Sequence, residues 1–408
     1  MSYGTAVSLF VIALATAVAP LCSEVLRRWR IPSVLFELVL GILVGPEVLH
    51  WASTDVFVNG LSVLGLCFLF FMAGYEIDLS NLGQEPMVLG AVGWTASLVL
   101  GLGAGAVLLL TDFALSSLLV GLALTTTAIG TLLPMLHDRG MLDTRFGRFL
   151  GAAGTAGEFG PVVAVTVLLG AASPGTEALL LVAFVLLAVG CAYLAARPQP
   201  PRVVETMQRH LGTSTQLPVR IVLLVICGLV LVASSLSLEI LLGAFAAGLI
   251  VRIGFTEAQS ASMRPRLESI GFGFLIPVFF VVSGMQFHIR ALVDSPAILE
   301  RVPIFLGLFL VVRGLPALLV YARVLPWRQR SALGVLQSTT LPMLVVITQI
   351  GLETHHMLPV NATALVGAGM ASVLVFPLVG FALAGRDAAA GGVDVDVRDD
   401  VDPAVDPL

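Results

Sequence analysis

Long apolar blocks separated by short polar breaks set the plan of this chain. The blocks fall at 4–21, 31–50, 60–78, 87–111, 114–136, 147–170, 177–196, 217–234, 237–252, 267–284, 302–323, 331–352 and 360–384. A helix rises about 1.5 Å per residue, so roughly 20 apolar residues cross the hydrocarbon core of a bilayer. The pattern therefore predicts about thirteen transmembrane helices and an all-α polytopic membrane protein. An odd number of spans puts the two termini on opposite faces.

Composition agrees, and charge orients the chain. Of 408 residues 58% are hydrophobic and 12% charged, whereas a soluble domain carries about 25% charge; the mean hydropathy is +1.01. All 21 basic residues are Arg. All of them except Arg290, Arg301 and Arg313 fall on one face, so the positive-inside rule predicts an external N-terminus and a cytoplasmic C-terminus, in a bacterial inner membrane. Residues 4–21 read as a mature helix and not as a signal peptide, because Arg27, Arg28 and Arg30 follow the apolar block instead of preceding it. Residues 386–408 form an acidic Ala/Gly/Val/Asp tail expected to be disordered, and residues 198–217 read as the joint between two halves. Cys22, Cys67, Cys191 and Cys227 lack paired spacing, which argues against a disulfide framework or a zinc site. No phosphate loop, dinucleotide turn or nucleophile elbow follows a strand, so the chain reads as neither an enzyme nor an ATP-driven pump; no cofactor and no nucleic acid is implied.

The chain also repeats itself. Glu37-Leu-Val-Leu-Gly41 matches Glu239-Ile-Leu-Leu-Gly243, Phe70-Phe71-Met-Ala-Gly74 matches Phe279-Phe280-Val-Val-Ser-Gly284, and Thr125-Thr126-Thr127 matches Ser338-Thr339-Thr340. Partners lie seven spans apart, an odd number, so the two copies cross the membrane in opposite directions. Such an inverted repeat is the build of many secondary transporters, whose sites lie near the midplane where interrupted helices cross.

Two buried charges stand out within the spans. Glu158, in Gly151-Ala-Ala-Gly-Thr155-Ala-Gly157-Glu158-Phe-Gly160-Pro161, is a lone acid in mid-span. A charge there costs about 2.5–3.5 kcal/mol on insertion scales, so the group needs a partner, a proton or a water-filled cavity. Poor hydration favours a protonated acid and a bound cation favours the ionised form, so proton and cation compete for one group. Pro161 supplies no N–H and frees a carbonyl three or four residues back to face a ligand. Hydroxyls at Thr125, Thr126, Thr127, Ser338, Thr339 and Thr340, beside Gly130, Pro134 and Pro342, offer oxygens to a cation or to freed backbone groups. Arg313 is the other mid-span charge, and its partner is open between Glu158, Glu76, Glu37 and Glu239; Glu37 and Glu239 precede Gly41/Gly45 and Gly243/Gly248 and read as packing positions, Glu76 as interfacial.

These motifs resemble the monovalent cation:proton antiporters, the large family that includes bacterial sodium/proton exchangers and potassium-efflux systems, in its cation/proton antiporter-2 branch. The marks are Ile31-Pro32, Glu37-Leu-Val-Leu-Gly41-Ile-Leu-Val-Gly45-Pro46, Leu69-Phe-Phe-Met-Ala-Gly74-Tyr-Glu76-Ile-Asp78, Thr125-Thr126-Thr127, Leu242-Gly243-Ala-Phe245-Ala-Ala-Gly248 and Ile276-Pro277-Val-Phe279-Phe280. The resemblance implies exchange of Na+ or K+ for H+ by alternating access in a homodimer. It implies an antiporter domain over residues 1–385, in which spans 4–6 and 11–13 form a moving ion-binding core against a scaffold of spans 1–3 and 8–10, with span 7 as linker. Family members carry Asn-Asp, Asp-Asp or Gln-Asp where this chain has Gly157-Glu158. Glu158 thus inherits the proton and cation role, with Gly157, Thr155, Thr126, Thr127 and Thr339 as further cation-site candidates and Arg313 as the charge partner of the core. One carboxylate and one Arg resemble the electroneutral members. Relatives with a cytoplasmic regulatory domain have it where only the tail lies here, so such control implies a separate cytoplasmic subunit. The residues alone leave two other readings open: a proton-coupled carrier of a small organic anion, with Arg313 as the anion partner, and a receptor or channel subunit without coupled transport.

Overall fold

The computed structural model describes residues 3–26, 32–76, 84–111, 113–114, 116–142, 144–169, 174–197, 216–236, 238–287, 289–290 and 296–385. The tail 386–408, Asp78 and nearly all of the joint at 198–217 lie outside the described residues. In chain order the helices are α1 (Tyr3–Val25), α2 (Ser33–Val44), α3 (Val56–Glu76), α4 (Gln84–Leu110), α5 (Ser117–Leu124), α6 (Ile129–Asp138), α7 (Arg145–Leu169), α8 (Pro174–Ala195), α9 (Leu217–Ser235), α10 (Ile240–Gly254), α11 (Glu257–Ile270), α12 (Ile276–Met285), α13 (Pro296–Phe309), α14 (Leu315–Val320), α15 (Trp327–Gln337), α16 (Pro342–Glu353) and α17 (Pro359–Ala384). Wide turns at Gly271–Leu275 and Leu310–Gly314 join α11 to α12 and α13 to α14 without ending the helix.

Span lengths depart from the block pattern. Among the described residues seven helices are long and apolar enough to cross a bilayer, eight if the bent pair α15 and α16 counts as one; four further apolar helices are shorter. The expected count of thirteen is therefore not established by length. Local chemistry explains the shortfall. The block 31–50 stops being helical at Val44, because Gly45 and the following turn to Leu49 use its last residues. The block 237–252 begins in extended backbone, with Glu239 at φ −60°, ψ 127°, leaving α10 only 15 residues. The block 331–352 is cut after Gln337, and the two pieces bend by 41°.

Packing sorts the helices into two groups. The helices α1, α2, α3 and α8 to α12 pack chiefly on one another, and so do α4 to α7 and α13 to α17. The repeat is visible in the first group, where α2 lies on α12 and α10 lies on α3, each second-copy helix meeting a first-copy one. Both contacts need glycine. A Cβ at Gly41 would strike the Val281 carbonyl of α12, and one at Gly248 would strike the Phe71 carbonyl of α3. Small residues that let backbones touch are how helices associate where lipid is as apolar as leucine. In the second group a stripe on α4 (Gly90, Gly93, Ser97, Gly101, Gly105) is buried, and α5 and α7 close onto it.

The loop ends are distinct. At the Arg-poor end the backbone N–H of Arg290 donates to Glu47 Oε2 at 3.0 Å, and buried Asn361 donates from Nδ2 to the Phe113 carbonyl at 2.7 Å while accepting from Arg301. At the Arg-rich end Arg139 lies 3.9 Å from the Phe381 ring centroid. Large apolar side chains face outward between the ends, among them Phe10, Leu186, Leu224 and Leu319, as a lipid-bathed surface requires.

The close approach of α2 and α12 is testable. Gly41→Leu should lower the thermal midpoint of the detergent-solubilised protein by several degrees, reflecting at least about 1–3 kcal/mol of overpacking against backbone that cannot yield. Gly60→Leu, at a site with nothing within 4 Å, should leave it unchanged.

Candidate functional site

Two helices break in the middle of the second group, and the breaks cross. The polypeptide is non-helical between α5 and α6 at Thr126–Ala128 and between α15 and α16 at Ser338–Leu341. Each break leaves N–H and C=O groups without helical partners, and in a membrane these must be satisfied within the protein. Ala128 N–H donates to the Thr339 carbonyl at 2.7 Å, and Thr127 Oγ1 donates to the Gln337 carbonyl at 2.5 Å. The Thr126 and Thr340 hydroxyls bond each other across the crossing. Ser372 of α17 closes the second break: its Oγ accepts from Thr340 N–H at 3.0 Å and donates to the Thr340 carbonyl at 3.1 Å.

The helix α7 runs beside the crossing and is joined to it by a proline defect. Pro161 has no N–H to give to the carbonyl four residues back, which is Gly157's. That carbonyl instead accepts from Thr127 N–H at 2.9 Å. The freed carbonyl expected to face a ligand therefore faces the first break.

Glu158 is the next residue. It is 2% exposed, its Oε2 has no partner among the described residues, and the N–H groups of Ile129 and Gly130 face its carboxylate. Those two residues begin α6, so a helix N-terminus with its partial positive charge points at the acid. Thr339 Oγ1, fully buried, is a second oxygen at the crossing with no partner among the described residues. Thr155 is half-buried one turn earlier on α7. Thr126 Oγ1, besides meeting Thr340, donates to the Ala123 carbonyl at 2.8 Å.

Arg313 is 1% exposed and lies on the wide turn between α13 and α14. None of the four acids weighed as its partner holds it. Its Nε donates to Thr127 Oγ1 at 3.0 Å and to the Gln337 carbonyl at 3.4 Å, its Nη1 to Ser97 Oγ at 3.2 Å and its Nη2 to the Ala153 carbonyl at 3.1 Å. Gln337 Nε2 in turn donates to the Arg313 carbonyl. A buried cation is thus solvated by neutral oxygens from four elements. A planar fork of five N–H donors suits that task, and a lysine ammonium does not. The arrangement also uses up the Thr127 hydroxyl, which accepts from Arg313 and donates to Gln337, and it engages each of the three guanidinium nitrogens.

Gly157 finds its reason here. A Cβ at this position would fall against Arg313 Nη2, 2.5 Å from Thr127 Oγ1 and 2.8 Å from Thr127 Cβ. The guanidinium occupies the space that a side chain at 157 would need.

Sequence reasoning missed three neighbours. Ser97 was hidden among the small residues of α4, and Gln337 in a helix end. Glu76, read as interfacial, ends α3 close enough to Glu158 for the two carboxylates to repel when both are ionised. Its place just past the Phe70–Gly74 repeat on a buried helix was the available signal. Next to Glu158 in the chain, Phe159 of α7 stacks on Phe245 of α10 with ring centroids 3.3 Å apart and meets Phe70 of α3 at 6.1 Å, an aromatic contact across the seam between the two helix groups.

Known proteins place this arrangement. The model of the family described as sodium/hydrogen exchanger, transmembrane, matches residues 12–384. Among similar proteins, YjbQ of Bacillus subtilis is 27% identical over 383 residues, 87% of this chain and 59% of the relative. This chain thus spans about six-tenths of the length of that relative. The Na+/H+-K+ antiporter GerN of Bacillus cereus is 29% identical over 68% of this chain and 71% of its own, and the Na+/H+ antiporter of Enterococcus hirae 25% identical over 88% and 93%. The solved structure of the sodium proton antiporter MjNhaP1 from Methanocaldococcus jannaschii superposes with a TM-score of 0.65 at 14% identity, over 94% of this chain and 98% of that one, and so shares its fold. With a family model matched from the first helix to the last and a crossing of broken helices beside a buried acid, this multi-pass membrane protein belongs to the sodium/hydrogen exchanger family.

Proposed function

We propose that the chain is a secondary antiporter that exchanges Na+ or K+ for H+, one for one, with Glu158 carrying the proton in one direction and the cation in the other. The observation that carries the reading is a buried carboxylate with one unpartnered oxygen, set at the crossing of two broken helices and faced by a helix N-terminus. Thr339 Oγ1, a hydroxyl of the crossing with no partner among the described residues, completes the cation's shell with Glu158 and backbone oxygens in this reading. Either occupant neutralises Glu158, so the loaded carboxylate moves without its own charge exposed to the poorly solvating core, whereas an empty ionised carboxylate bears its desolvation cost. That difference couples the two flows. Arg313 keeps its charge throughout, held by neutral oxygens, and fixes the geometry of Thr127 and Gln337 against α7. The group α4 to α7 with α13 to α17 moves as the ion-binding core against α1 to α3 and α9 to α12, sliding on the seam where Phe159 meets Phe70 and Phe245. The Arg-rich end faces the cytoplasm of a bacterial cell and the N-terminus lies outside, on the positive-inside rule; the working unit is a homodimer, as the resemblance implies.

The organic-anion carrier loses its main support. Its anion partner was Arg313, each of whose three nitrogens already donates within the protein, to Thr127 and Gln337, to Ser97 and to Ala153.

Acidic-inside proteoliposomes with an enclosed pH dye test the reading. Addition of Na+ or K+ outside should dequench the dye equally with and without a potential clamp, and Glu158→Gln should abolish the response. Persistent exchange in Glu158→Gln overturns the assignment. Because proton and cation compete, the apparent KM for the cation should rise up to about tenfold per pH unit as the medium is acidified through the titration of Glu158, and a KM that ignores pH would contradict single-site competition. Gly157→Ala should slow exchange by about tenfold or more, roughly 1.4 kcal/mol or above, because its Cβ displaces the guanidinium. Arg313→Lys should not restore what Arg313→Gln loses, since an ammonium cannot reach Thr127, Ser97 and Ala153 together.

A further inference from the structure

A second feature lies away from Glu158, at the Arg-poor end of the seam. A cavity of about 440 Å³ opens there between α3 and α12 on one side and α16 and α17 on the other. Its floor is apolar, formed by Leu66, Phe279 and Val345, and it stops one helical turn short of Phe70 on α3. Its rim is a polar bridge between the two helix groups: Gln349 Nε2 donates to Gln286 Oε1 at 2.6 Å, and Gln286 Nε2 donates to Asn59 Oδ1 at 3.0 Å.

Three observations give this cavity a ligand. Ser283 lines it, is 7% exposed, and its Oγ has no partner among the described residues. A hydroxyl buried in that way forfeits a hydrogen bond unless something in the cavity supplies it. Glu353 also lines it, and Glu239, which precedes α10 on the opposite side of the seam, lies near enough for the two carboxylates to repel. Among the described residues no basic side chain lines the cavity. The two arginines of that end are engaged elsewhere, Arg290 with Glu47 and Arg301 with Asn361. The balance of charge calls for a cation. Size then sets its form. At roughly 30 Å³ per water the cavity has room for an ion and its whole hydration shell, whereas a bare ion needs oxygens closed around it on every side.

We propose that this cavity is a second cation site, which holds a hydrated monovalent cation between Glu353 and Ser283 ahead of its transfer to Glu158. The inference rests on the reading of Glu158 as the exchange site. A hydrated ion is held weakly and with little selectivity, so the site raises the local concentration of cation and leaves the choice of ion to the crossing. The Gln349–Gln286–Asn59 bridge joins both helix groups over the mouth, so the site exists only while the two groups stand as they do here.

Sided transport separates this site from its alternatives. In right-side-out and everted vesicles, Glu353→Gln should raise the KM for Na+ or K+ about fivefold when the cation is supplied at the Arg-poor face. The maximal rate, and the KM for cation supplied at the other face, should not change. Ser283→Ala, which removes no charge, should raise the same KM by about twofold. If Ser283→Ala has no effect, Glu353 acts only by long-range attraction and the site is overturned; equal changes from both faces overturn it as well. Glu158→Gln in the same vesicles keeps the two claims apart. Exchange that survives it removes the underlying reading, while exchange lost there with an unmoved KM in Glu353→Gln removes only the second site.

Discussion

A backbone that ceases to be helical inside a bilayer has to find other partners for its peptide groups, and that constraint organises this molecule. Two such breaks are tolerated because they meet. Ala128 hands its N–H to Thr339, Thr127 hands its own to the carbonyl that Pro161 set free on Gly157, and Ser372 closes the remaining pair on Thr340. The first of these bonds joins the two halves of the chain, and the others tie the breaks to α7 and α17. The crossing can therefore exist only in the assembled group of α4 to α7 and α13 to α17, and the glycine stripe of α4 is what lets that group close tightly enough. Its by-product is chemical: a helix N-terminus faces the acid, and among the described residues a carboxylate oxygen and a hydroxyl at the crossing are left without partners.

Arg313 belongs to the same economy of buried groups. Carrying a cation into the core is costly, and a pairing carboxylate is the usual remedy. Here the remedy is two carbonyls and two hydroxyls, none of them charged. The consequence reaches Glu158, which makes no ion pair with this buried cation among the described residues. Gly157 follows from the same packing, since a side chain there would compete with the guanidinium for space.

Much of this was legible in the chain. A lone acid among small residues marks Glu158, and a run of Thr before Gly130, mirrored by Ser338-Thr339-Thr340 before Pro342, marks both breaks, because hydroxyls and helix breakers together have few other uses in lipid. Repeated Gly41 and Gly243 motifs foretold close helix contacts, which the seating of Gly41 on Val281 bears out. Other features were hidden because they exist only through space. Nothing in sequence pairs Arg313 with the carbonyls of Ala153 and Gln337, since every residue has a carbonyl. Glu76 read as interfacial because it ends a span, and its nearness to Glu158 depends on how α3 leans on α7. Block lengths overstated some spans because a run of apolar residues does not reveal where Gly45 turns the chain or where the helix breaks after Gln337.

The account turns on one claim, that proton and cation exclude each other on a single carboxylate. Proton release from detergent-solubilised protein in weak buffer tests it without any transport assay. Addition of saturating Na+ or K+ should release up to one proton per chain, most near the pH at which Glu158 is half protonated, and Glu158→Gln should release none. Release that is undiminished in Glu158→Gln, or cation binding that displaces no proton at any pH, would contradict it.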